Sequence, residues 1–167
     1  DGEEQVGRVG DLSLEGVYFS YAPGARVLSD LTFRIPAGEA VGVVGPSGSG
    51  KSTLVQVLLG LRQPSQGSVK ADGRDISRLS RAEWARKVTF VPQSSHLVAG
   101  TIEENIRFFR DDITFEDVRR AAELAHLADD IANFPEGYDR QVGENGGNRS
   151  GGQNQRLCIA RALVEDP

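Results

Sequence analysis

The stretch Gly45-Pro46-Ser47-Gly48-Ser49-Gly50-Lys51-Ser52-Thr53 fits the pattern Gly-x4-Gly-Lys-[Ser/Thr] and decides the reading of the chain around it. Each part has a physical reason. To wrap a diphosphate, a loop must turn successive backbone N–H groups inward, and Gly45, Gly48 and Gly50 permit the close approach and positive φ angles this requires. A helix starting near Gly50 aims its unpaired N–H groups and its dipole at the same anion. Lys51 adds a mobile point charge within reach of the β- and γ-phosphates, and the Ser52 hydroxyl can ligate Mg2+. The flanks supply the context that the pattern needs. Residues 40–44 are apolar on both sides, which predicts a strand buried on both faces in a parallel sheet. Residues 52–59 are apolar nearly all round and are followed by Gly60, which predicts a buried helix with a glycine stop. The loop is thus expected to hold a nucleotide, although nucleotide kinases, GTPases and transport ATPases all use it.

Upstream, Leu12 and Leu14, then Val17, Phe19 and Tyr21, alternate in part and predict a strand. Ala22-Pro23-Gly24 is a turn, Leu31, Phe33 and Ile35 alternate again, and Pro36-Ala37-Gly38-Glu39 turns the chain into residues 40–44. Downstream, a strand around 67–70 leads to the turn Asp72-Gly73, and Ser80-Arg81-Ala82-Glu83 is a capping box opening a short helix. Residues 88–91 predict a strand stopped by Pro92. Thr101-Ile102-Glu103-Glu104 is a second capping box, and Thr114 can cap a helix whose stripe is Val118, Ala121, Ala122, Ala125, Ala128 and Ile131. Residues 153–164 are helical. Strands early and helices late, around one strand–loop–helix unit, indicate an α/β fold with an antiparallel prelude and a helical insert.

The composition is that of a globular protein: 167 residues, 26% charged and 38% hydrophobic, enough for a real core. One cysteine, Cys158, rules out an internal disulfide and points to a reducing compartment. No stretch approaches the roughly 18 apolar residues of a membrane span. The net charge of −5, with no clustered bases, disfavours nucleic acid as the main partner. Residues 1–10 are polar and Gly-rich, as in a linker, and the ends of the chain are expected to be cuts rather than natural termini.

Ser150-Gly151-Gly152-Gln153, about a hundred residues past the phosphate loop, opens the last helix and makes a second anion site without a lysine. Together with the phosphate loop at this spacing, it resembles the signature motif of the ATP-binding-cassette (ABC) ATPases. The resemblance covers essentially the whole chain. It implies a P-loop NTPase core of ABC ATPase type with an antiparallel β subdomain and a helical subdomain over approximately 94–160, all within a domain at 11–167. Tyr21, in Phe19-Ser20-Tyr21, looks like the aromatic that stacks on adenine. Gln93, in Val91-Pro92-Gln93, resembles the glutamine whose side-chain oxygen reaches Mg2+. The segment at 100–106 looks like the GTIxENI of exporter-type cassettes, and Val142-Gly143-Glu144 resembles that group's loop facing the transmembrane coupling helices. Further expectations follow from the resemblance: ATP and Mg2+ as ligands, a second nucleotide-binding domain and transmembrane domains as partners, and the cytoplasmic face of a cell membrane as location. In that arrangement residues 150–153 close over the ATP of the opposite subunit.

Arg149 stands where the family usually has Leu, Asn154 replaces a usual basic residue and Asn145 a usual Arg, which implies a weakened signature. In the family, Glu-Asp-Pro is followed by a strand carrying the Mg2+-binding Asp and the general-base Glu, then a switch His. None is in these 167 residues, and His96 and His126 match neither role. Hydrolysis is therefore expected of the complete protein and not of this chain alone, which loses about 10²–10⁴-fold from acid–base chemistry; the chain alone is expected to fold poorly or to expose an open sheet edge. Two other readings are a non-catalytic ATP-gated module and a nucleotide kinase. The kinase is disfavoured by the roughly 40-residue β prelude before the loop. A DNA-repair ABC ATPase would carry a long heptad insertion, and none is visible.

Overall fold

In a computed structural model, which describes residues 7, 9–143 and 151–167, the slip of alternation between Leu14 and Val17 is a β-bulge. Strand β1 (Leu12–Ser20) pairs antiparallel with β2 (Arg26–Ile35), Leu14 opposite Phe33 and Val17 opposite Leu31. Three steps on β1 thus match two on β2, and Gly16, at φ +55°, lies inside the irregularity, so Leu14 and Val17 are both buried. Strand β3 (Gln66–Ala71) lines the other side of β1 and turns at Asp72-Gly73 into β4 (Arg74–Asp75), for a sheet ordered β2-β1-β3-β4. At Gly67 an added Cβ would sit 2.2 Å from the Gly16 carbonyl oxygen, so the sheet closes here only with glycine. The Asp72 carboxylate accepts the N–H groups of Gly10 and Asp11 at 3.0 and 2.8 Å, which holds its carboxyl below the ordinary range.

Helix α1 (Lys51–Leu58) sends Leu54 and Val57 into one core with Leu14, Val17, Phe19, Leu28 and Val69. It stops as expected at Gly60, φ +70°, whose N–H bonds to the Val57 carbonyl at 3.0 Å. Helix α2 (Arg81–Lys87) packs Trp84 against Ala71 and Leu79, but Ser80 makes no side-chain cap bond, so the first expected capping box does not form. These elements belong to a first compact unit ending at Val88; a second begins at Thr89.

The expected strands at 40–44 and 88–91 are absent. Residues 40–44 are in no strand, Val41 and Val43 are half exposed and Val44 is 93% exposed; residues 88–91 are also outside any strand, with Phe90 exposed. Among the described residues every strand pairing is antiparallel, and none involves either segment. An extended segment cannot satisfy its own backbone groups as a helix does, and its apolar side chains are buried only when neighbouring strands and covering helices are in place.

In the second unit, a two-residue ladder joins β5 (Gly100–Thr101) to β6 (Gln141–Val142). Helices α3 (Ile102–Arg107), α4 (Phe115–Leu124), α5 (Ala128–Ala132) and α6 (Gly151–Leu163) enclose a core that includes Ile102, Ile106, Val118, Leu127, Leu157 and Val164. The capping box at Thr101 forms, with Thr101 N–H donating to Glu104 at 2.7 Å and Glu104 N–H to the Thr101 hydroxyl at 3.0 Å. Thr114 caps α4 as expected, in a box with Asp117. The single helix expected through Ile131 is two. The chain breaks after Ala125, His126 takes φ +52°, and Leu127 turns in to be fully buried.

Candidate functional site

Helices α3 and α4 open on a threonine in a reciprocal cap, with acidic residues in the first turn. Helix α1 opens on Gly50 in a left-handed conformation, φ +92°, with no side-chain cap and no acidic residue in its first turn. Its leading N–H groups and the positive end of its dipole therefore lack the internal oxygen acceptors that the other two supply. The loop before it is a tight cradle. A Cβ on Gly45 would lie 2.8 Å from the Ser49 hydroxyl oxygen, and one on Gly50 3.1 Å from both Leu28 and Val27. Within it, Ser49 N–H donates to the Pro46 carbonyl at 3.3 Å and Gly48 has φ +79°. The positive φ expected of the loop's glycines is thus found at Gly48 and Gly50, whereas Gly45 is constrained by space.

The Lys51 ammonium lies back over this loop, donating to the Gly45 and Pro46 carbonyls at 2.9 and 2.8 Å and to the Ser49 hydroxyl at 3.4 Å. These partners are exposed, so oxygens of an incoming anion can replace them at little net cost. Pro46, Ser47 and the Ser52 side chain face solvent. Thr53 is buried, and its hydroxyl lies 3.1 Å from the Tyr21 hydroxyl. The Tyr21 and Phe19 rings are perpendicular, centroids 5.0 Å apart, and Tyr21 stays 55% exposed. The first unit thus brings Tyr21 together with residues 45–53 through a bond spanning 32 residues of sequence.

Among the described residues no group of three or more His, Cys, Asp or Glu side chains could hold a metal. Among the oxygens at the loop, the exposed Ser52 hydroxyl is a hard ligand that fits Mg2+, an ion that takes most of its ligands from phosphate oxygens and water.

The remaining expected residues lie in the second unit. Gln93 is exposed in a bend. Gly151 and Gly152 form the exposed start of α6, while the Gln153 amide donates to Asp130 at 3.2 Å and Arg156 pairs with the same carboxylate. Ser150, with Glu144, Asn145 and Arg149, lies outside the described residues. The Asn154 side-chain oxygen is buried without a hydrogen-bond partner. Sequence reasoning missed a buried polar junction in this unit. Asn105 donates to the Val98 and Thr101 carbonyls at 2.9 and 3.0 Å, and Arg161 donates to Asn105 Oδ1 and to the carbonyls of Asn105 and His96. Burial pulls the Arg161 guanidinium below its ordinary value. The available signal was a polar Asn105 one residue from Ile106 on a helix whose inward positions are otherwise isoleucine.

The ABC transporter family matches residues 28–167. The human protein "ATP-binding cassette sub-family B member 6" is 41% identical over 158 residues, 95% of this chain and 19% of that protein. "Iron-sulfur clusters transporter atm1, mitochondrial" of Neurospora crassa is 40% identical over 160 residues, 96% of this chain and 22% of its own length. A solved bacterial Atm1-family ABC exporter with ATP bound superposes with a TM-score of 0.87 at 40% identity, over 97% of this chain and 28% of that one. The chain therefore spans about a fifth of the length of the relatives it matches. No helix of the described residues is long and apolar enough to cross a membrane.

Proposed function

This chain belongs to the ABC transporter family, and from that premise we propose that it is the ATP-binding and ATP-hydrolysing domain of an exporter, working at the cytoplasmic face of a cell membrane. The base of ATP stacks on the exposed ring of Tyr21. The phosphates enter the cradle of Gly45, Pro46, Ser47, Gly48, Ser49 and Gly50, where backbone N–H groups and the helix dipole favour the anion. Lys51 leaves the Gly45 and Pro46 carbonyls for the β- and γ-phosphate oxygens, and the Thr53 hydroxyl keeps the stacking ring tied to the helix that carries the lysine. The Ser52 hydroxyl would hold Mg2+, which would neutralise charge on the phosphate oxygens.

Two such domains close head-to-tail. Ser150, Gly151, Gly152 and Gln153 of one then cover the γ-phosphate of ATP held by the other, and closure drives transmembrane domains. The observation that carries this reading is the start of α1: an uncapped helix, a glycine cradle and a lysine resting on replaceable carbonyls. The test is Mg-ATP-dependent phosphate release by the intact protein. Lys51→Ala is expected to lower kcat/KM at least about a hundredfold, because its charge is poorly screened once water is excluded. An unchanged rate contradicts the assignment.

A further inference from the structure

The ring of Tyr21 is held from both ends of α1. At the start of the helix its hydroxyl meets the buried Thr53 hydroxyl at 3.1 Å. Past the end of the helix, the guanidinium of Arg62 lies over the ring, its central carbon 5.4 Å from the centroid. Arg62 is itself tethered twice to one residue of α1: its backbone N–H donates to the Gln56 carbonyl at 3.2 Å and its Nε to the Gln56 side-chain oxygen at 3.4 Å. With the Phe19 ring perpendicular to it at 5.0 Å, the hydroxyl and one face of Tyr21 are engaged, and the residue still keeps 55% of its surface exposed.

We propose that Arg62 is a positioning residue that sets base preference at this site. It fixes the tilt of the Tyr21 ring and draws π-density toward one face, so that the other favours an electron-rich purine over a pyrimidine. This rests on the reading of Tyr21 as the platform for the base. Arg62 contributes through the tyrosine and not through the phosphates, and that separates it from a general attraction of anions.

Calorimetric affinities of the intact protein for the magnesium complexes of ATP, UTP and inorganic triphosphate test it, in the parent and in Arg62→Ala, Arg62→Lys and Tyr21→Ala. Arg62→Ala is expected to weaken ATP about 2- to 5-fold, the range of an exposed cation–π contact, with a smaller loss for UTP and none for triphosphate. Arg62→Lys, which keeps a cation near the ring, restores most of the loss. An ATP affinity unchanged in Arg62→Ala overturns the proposal, as does an equal loss for triphosphate, which would make Arg62 a phosphate attractor. If Tyr21→Ala weakens ATP and Arg62→Ala does not, the proposal alone fails. If Tyr21→Ala is silent, the base platform itself fails and takes the proposal with it.

Discussion

Helices α4 and α1 begin in opposite ways. At the start of α4, Asp117 N–H donates to the Thr114 hydroxyl and the Asp117 carboxylate accepts from Thr114 N–H, at 3.2 and 3.0 Å, with Glu116 beside them in the first turn. Every feature there lowers the energy of the helix itself. At α1 the capping residue is a glycine, the first helical residue is a lysine, and no carboxylate meets the dipole. The same backbone feature is closed off in one case and left open in the other. An open end costs stability, and in the function proposed above what it provides is a place for charge that comes from outside the chain.

The contrast can be broken from either side. The largest expected effect is at the open end. Gly50→Ala forces a Cβ into a left-handed position against Leu28 and Val27, and is expected to cost about 1–3 kcal/mol in urea unfolding and to weaken nucleotide binding as well. A variant that unfolds earlier but binds Mg-ATP normally would show that the cradle does not need its geometry. At the closed end, Thr114→Ala is expected to cost about 1 kcal/mol with nucleotide affinity unchanged.

The smallest effect is the pH dependence of that cap. Hydrogen bonds from the Thr114 hydroxyl and N–H, and more weakly the neighbouring Arg120, hold the Asp117 carboxyl below the ordinary 3.8. A depressed folded-state value means that the contribution is fully present above 3.8 and is lost as pH falls through the folded-state value. Dichroism-monitored acid titration of Asp117→Asn should show a shallower decline in that window than the parent; identical curves would remove the cap from the account.

Much of this was legible in the sequence, for reasons that differ by element. The phosphate loop was legible because each residue type answers a local demand, and the positive φ asked of its glycines is found at Gly48 and Gly50. The caps at Thr101 and Thr114 were legible because a cap is completed within three residues. The slip of register in β1 was visible as broken alternation, and the pairing supplied its cause. Residues 40–44 mark the limit. Their apolar pattern is plain, but burial of a strand is a property of its neighbours, and Val44 is almost fully exposed. The break at His126 was hidden for a different reason: a stripe at helical spacing continues across it, and only the inward turn of Leu127 shows that the helix has stopped. The bonds Tyr21–Thr53 and Gln153–Asp130 join residues 32 and 23 positions apart, and no local pattern announces such pairs.

The central claim is that the open start of α1 binds nucleoside triphosphate through backbone N–H groups and one ammonium. The most direct measurement is titration calorimetry of the intact protein with Mg-ATP. The account predicts saturable binding that Lys51→Ala removes and Thr114→Ala leaves intact. No heat in the parent protein, or an undiminished affinity in Lys51→Ala, would contradict it.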